Sequence, residues 1–154
     1  MRRAGTAKLG PAVFAAAVFA LVLTGSTGGR VVADTHPRIP PFSVWVGSYT
    51  CPQGITALRL SIEARSSGEA EATFEFGPHP SNKNLPRGEY RMTGTVRLLP
   101  RGQLRVKLVP DRWITQPDGW TMTGLSATSD LEQQQLEGRI DTEACGELSA
   151  KRES

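Results

Sequence analysis

From residue 44 onward the chain alternates between apolar and polar positions. Thr56, Leu58, Leu60 and Ile62 interleave with Ala57, Arg59 and Ser61, and Ala70, Ala72, Phe74 and Phe76 with Glu71, Thr73 and Glu75. Tyr90, Met92, Gly94, Val96 and Leu98 interleave with Arg91, Thr93, Thr95 and Arg97, and Leu104, Val106 and Leu108 with Arg105 and Lys107. One buried and one wet face at a period of two is the pattern of antiparallel strands. Adding 44–51, 120–128, 135–140 and 145–151 predicts about eight strands. No ten-residue stretch carries a helical stripe, so the expected class is all-β.

The predicted connections are of two kinds. Those at 66–68, 100–102 and 129–134 are short or polar, whereas 77–88 and 110–119 are longer and chemically richer. In up-and-down order alternate connections share an end, so both long loops and the turns at 52–54 and 141–144 meet at one rim. The expected architecture is an antiparallel up-and-down barrel or flattened barrel with a mouth at that rim. Cys51 ends the first strand and Cys145 begins the last. If those strands lie side by side, the two cysteines meet and a disulfide fastens the seam; a staple between the faces of a sandwich is the alternative. Gly94, Gly124 and Gly138 interrupt strands, as the tight coiling of a small barrel requires. Trp45 reads as a structural plug.

The N-terminus has a different pattern. Arg2, Arg3 and Lys8 precede an apolar run of 15 residues, Leu9 to Leu23, and small residues lead to a cut ahead of Asp34. That is the form of a secretory signal peptide, and the run is shorter than the ~20 residues a spanning helix needs. The domain reading is a leader over 1–33, a flexible proline-bearing lead-in over 34–42 and a single barrel domain over 43–154. Residence is secreted or extracytoplasmic, with no membrane span once the leader is cut. An oxidising compartment agrees with pairing of the two cysteines.

The leader also alters the charge. The net +3 comes from 18 Lys and Arg against 15 Asp and Glu, and the leader holds Arg2, Arg3, Lys8 and Arg30 with no acid, leaving 14 against 15. This balance gives no nucleic-acid footprint, and the basic stretch from Arg97 to Lys107 reads as the solvated face of strands. Two distant cysteines with only His36 and His79 lack metal-ligand spacing, so no metal and no cofactor is expected.

At the rich rim the sequence places Tyr49, His79, Asn82, Asn84, Arg112, Trp113, Asp118 and Trp120. Aromatic faces stack on sugar rings or apolar groups, and amides and charges fix orientation. No fixed base–acid pair accompanies a nucleophile, so no catalytic residue is assigned. The expectation is a non-catalytic, monomeric binding module for a glycan, peptide or small apolar ligand of the cell envelope. The alternative is a protein-interaction or hydrolase-inhibitor domain.

Several patches are similar to an uncharacterised family of bacterial exported β-domains. They are Trp45, Gly47, Tyr49 and Cys51 followed by Gln53 and Gly54; Trp113 and Ile114 followed by Pro117, Gly119 and Trp120; and Gly138 and Ile140 before Cys145. The resemblance implies the limits of one exported domain and brings no activity with it. By architecture alone the chain also resembles lipocalin-like barrels, with an early Trp beside a Gly and with Lys151 and Arg152 near the end.

Overall fold

A computed structural model describes residues 37–154; the leader and the first part of the lead-in lie outside the described residues. Eight strands follow in order: β1 (Phe42–Cys51), β2 (Gly54–Ala64), β3 (Glu69–Gly77), β4 (Gly88–Leu98), β5 (Leu104–Thr115), β6 (Leu125–Ser129), β7 (Gln135–Ile140) and β8 (Glu147–Arg152). Each pairs antiparallel with the next, and β1 pairs with β8 from Trp45↔Arg152 to Tyr49↔Leu148, closing the barrel. The fold is thus the all-β ring rather than the sandwich. Cys51 and Cys145 are bonded, and beside them the Gly146 N–H donates to the Thr50 carbonyl at 2.7 Å. Together they prolong the β1–β8 seam past its last ladder pair.

The alternation buries the expected face. Leu58, Leu60, Ile62, Phe74, Met92, Val106 and Leu108 all lie in the core, each worth about 1.5–3 kcal/mol when fully removed from water. At the inward positions Gly47, Gly94 and Gly138 the backbone of a neighbouring strand occupies the space that a Cβ would take. Only glycine permits so close a crossing. The end opposite the mouth is floored by Trp45, which has no exposed surface and donates its indole N–H to Ser43 Oγ at 3.0 Å.

Two sequence expectations need correction. The lead-in is not loose from Pro37 onward: Ile39 packs on the core, and Gln133, buried and at φ 55°, donates its amide to the carbonyls of Arg38 at 3.2 Å and Gly102 at 2.9 Å. Prolines signal a loop, but a hydrogen bond from a residue so distant in sequence leaves no local trace. The stretch 110–119 is also not simply a loop. β5 continues through Pro110 to Thr115, with Met92↔Pro110, Arg91↔Arg112, Tyr90↔Trp113 and Glu89↔Thr115, so Asp111 and Ile114 are extra residues in bulges. β6 begins only at Leu125, which leaves Trp120 in the connection 116–124 and outside any strand.

Candidate functional site at the barrel mouth

The mouthward ends of β1, β3, β4 and β5 each turn an aromatic ring inward. Tyr90 stacks on Phe74 at 4.8 Å between centroids, and Tyr49 packs on Phe74 at 5.7 Å. Trp113 meets Tyr90 edge-on at 5.2 Å. It does so because the bulge at Asp111 resets the parity of β5: even-numbered Leu104, Val106 and Leu108 point inward before it, odd-numbered Trp113 after it. Above them Trp120 stacks on Phe76, centroids 4.7 Å apart. Phe76 has room to lie flat because its cross-strand partner is Gly88, where a Cβ would overlap the Phe76 ring and meet Pro117 at 2.9 Å.

The loop carrying Trp120 is braced. The Trp120 N–H donates to the Pro117 carbonyl and Gln116 Nε2 donates to the Trp120 carbonyl, both at 3.2 Å. Tyr90 donates its hydroxyl to the Thr123 carbonyl at 2.9 Å. Across the rim, His79 and Asn82 form an isolated bridge, His79 Nδ1 and Ser81 Oγ are 2.7 Å apart, and Asn82 donates to the Gln53 carbonyl at 2.7 Å. Among the described residues every buried side-chain nitrogen and oxygen has a hydrogen-bond partner.

These elements leave a hollow of about 380 Å³ lined by Tyr49, Phe76, Tyr90 and Trp120, with Gln53 and Thr142 among its polar members. Among the described residues no charged side chain borders it. Burial pushes the Tyr90 phenol up to about 12, against a smaller lowering by its bonds with Thr123. Burial first and the neighbouring Tyr90 second push Tyr49 higher still, with the Thr56 hydrogen bond acting the other way. Both hydroxyls are therefore neutral at physiological pH. The rings below fill the barrel, so the hollow is confined to the mouth.

The residues read from the sequence separate into three groups. Tyr49 and Trp120 line the hollow, and Trp113 supports it from the aromatic layer beneath. His79 and Asn82 hold the rim through the Gln53 turn. Asn84 and Asp118 are exposed on loops, and Arg112 points out from the wall, 3.4 Å from Asp111, so these three are not brought to the hollow. Phe76 and Tyr90 are the lining residues that alternation alone assigns to the core. The glycines that end β3 and begin β4, Gly77 and Gly88, are the sequence signal that those two rings sit at an open end.

Larger hollows exist on the outer wall. One of about 650 Å³ lies between Phe42, Glu63, Glu71 and Thr93. It is a wall depression in which Glu63 and Glu71 face each other across the ladder, and no set of rings converges on it. The smaller mouth is therefore the candidate site. Among the described residues no group of His, Cys, Asp or Glu gathers as metal ligands. No family model, no curated protein and no solved structure matches this chain.

Proposed function

We propose that the protein is an exported, non-catalytic binding module that holds one uncharged ring at the barrel mouth, either a sugar unit of a glycan or a small apolar group. The observation that carries this reading is the convergence of Tyr49, Phe76, Tyr90 and Trp120 around a hollow free of charged groups. Aromatic faces supply the stacking surface, and phenol, amide and threonine groups supply orienting hydrogen bonds. A hollow of about 380 Å³ sits near the lower end of small-molecule sites, roughly 300–1,000 Å³. That size favours a single ring over a long chain. The lining offers no carboxylate or imidazole for proton transfer.

Tryptophan fluorescence titrated with neutral oligosaccharides and with a small apolar probe tests the site. A saturable change that disappears in Trp120→Ala is expected; silence towards both ligand classes, or an unchanged response in the variant, overturns the reading. Export has its own test. Expressed with its leader, the protein should be recovered outside the cytoplasm beginning at Asp34.

One observation favours a second reading, the protein-interaction or inhibitor domain. The rim loop after β3 is stiffened by the His79–Asn82 bridge and presents Ser81, Lys83 and Asn84 to solvent. A pre-ordered protruding loop loses little freedom on entering a partner's cleft. Retention of an envelope hydrolase by the parent protein, and its release when residues 81–85 are replaced by a Gly-Ser linker, would favour this reading over the first.

A further inference from the structure

The near-neutral charge balance conceals a divided wall. From Tyr90 to Pro110 the β4–β5 hairpin carries Arg91, Arg97, Arg101, Arg105 and Lys107 and no acid. All five are exposed, and among the described residues none has a carboxylate within ion-pair distance. The outward positions of β6 beside them are neutral, with Thr128 opposite Arg105 and Ser126 opposite Lys107. Acids collect instead on β3, as Glu69, Glu71 and Glu75. There Arg65 answers Glu69 and Arg59 answers Glu75. Of these three acids only Glu71 lacks an ion pair, whereas Arg91, Arg97, Arg101, Arg105 and Lys107 all lack one among the described residues. Arg112, at the far end of the strip, lies 3.4 Å from Asp111.

Register makes the basic sector more telling. Arg97 stands directly opposite Arg105, and Arg91 directly opposite Arg112. Like charges opposite one another destabilise a sheet. This hairpin keeps two such pairs, as the acidic side does with Glu63↔Glu71 and Glu75↔Glu89, but of those four acids only Glu75 has an ion pair among the described residues. Between the two arginine pairs lie Thr93 and Thr95, with Val109 and Lys107 as their partners. From Arg105 to Arg112 the strip extends roughly 20 Å at the rise of a strand. Each guanidinium fork offers paired, planar donors that suit phosphate oxygens.

From this geometry we infer that the outer wall of β4–β5 is a docking track for a linear phosphodiester polymer that carries no bases. A strip binding single-stranded nucleic acid would interleave aromatic platforms with its cations; this one interleaves Thr93, Thr95, Ser126 and Thr128. The opposed arginines each clamp a phosphate, and Lys107, opposite Thr95, meets the charge between them. Glu71 and Glu69, opposite Thr93 and Thr95, bound the track on its β3 side. The track is separate from the mouth, so each can fail without the other.

The test follows the anisotropy of labelled poly(glycerol phosphate) with the folded protein at several salt concentrations. Arg97→Gln/Arg105→Gln should weaken binding roughly tenfold and flatten the plot of log affinity against log salt by about 1.4, at about 0.7 for each phosphate no longer neutralised. Arg65→Gln, off the track and paired with Glu69, should change neither. Relief of the opposed charges should leave the thermal midpoint of the double variant unchanged or higher, whereas a structural role for these arginines would lower it. No binding by the parent at low salt, or an unaltered slope in the double variant, overturns the inference. So does tighter capture by a polyuronate, a thymidine oligonucleotide or phosphatidylglycerol vesicles, each of which would assign the wall to a different partner.

Discussion

The indole of Trp120 lies on the ring of Phe76 with the planes 20° apart, although one residue belongs to a connection and the other to a strand. Such a pair adds about 0.5–1.5 kcal/mol beyond the area it buries. Trp120→Ala should therefore cost stability only modestly, by about 1–2 kcal/mol, while lowering ligand affinity at the mouth at least tenfold. Chemical denaturation and fluorescence titration of one preparation separate the two effects. A large stability loss with affinity preserved would make Trp120 a lid on the core.

Gly88 tests how that stack is built. In Gly88→Ala the new methyl meets the Phe76 ring and the Pro117 ring together, and overpacking of this kind costs about 1–3 kcal/mol. Phe76 should tilt and carry Trp120 with it. Altered near-UV circular dichroism, with the far-UV spectrum unchanged, is the expected signature.

The alternation made the barrel legible from the sequence because nearly every strand keeps one parity from end to end. It failed where parity broke. The Asp111 bulge and Pro110, which has no N–H to give the ladder, disguise the second half of β5 as a loop. Trp113, which the sequence places among the rim residues, is a fixed member of the aromatic layer. The opposite error gave Trp120 to a strand, because the apolar residues of 120–125 follow a strand-like spacing with no ladder partner to hold it. Composition and order alone place Tyr49 and Trp120 at the rim, and both line the hollow there. They do not place Phe76 and Tyr90, because an inward ring looks the same at the middle of a barrel and at its edge.

Removing the disulfide should weaken the seam more than the core. Cys51→Ala/Cys145→Ala frees a crosslink between residues 94 apart in sequence, a change that typically costs about 2–5 kcal/mol. The urea midpoint should fall accordingly. Hydrogen exchange should rise first at the Gly146 amide, which donates to the Thr50 carbonyl beside the β1–β8 ladder.

Alkaline titration should destabilise the fold before either tyrosine in the native protein ionises. The Tyr90 phenol is raised from 10.0 to about 12, chiefly by burial, and Tyr49 is raised further. Above pH 10 the unfolded chain releases these protons while the native state retains them, so stability present below pH 10 is lost as pH rises. For Tyr90 the loss approaches about 1.4 kcal/mol per pH unit and levels off beyond its native value. Tyr90→Phe should flatten this slope, and at neutral pH should cost about 0.5–1.5 kcal/mol for the bond to Thr123. Urea midpoints measured between pH 8 and pH 12 check both.

Because an even number of strands returns the chain to its starting pole, Arg152 lies beside Trp45, on the side away from the aromatic hollow. A bead, a sensor chip or a fusion partner joined after Ser154 should therefore leave the opening unobstructed. Permuted versions reopened at 81–85 would instead set their new ends directly on the rim.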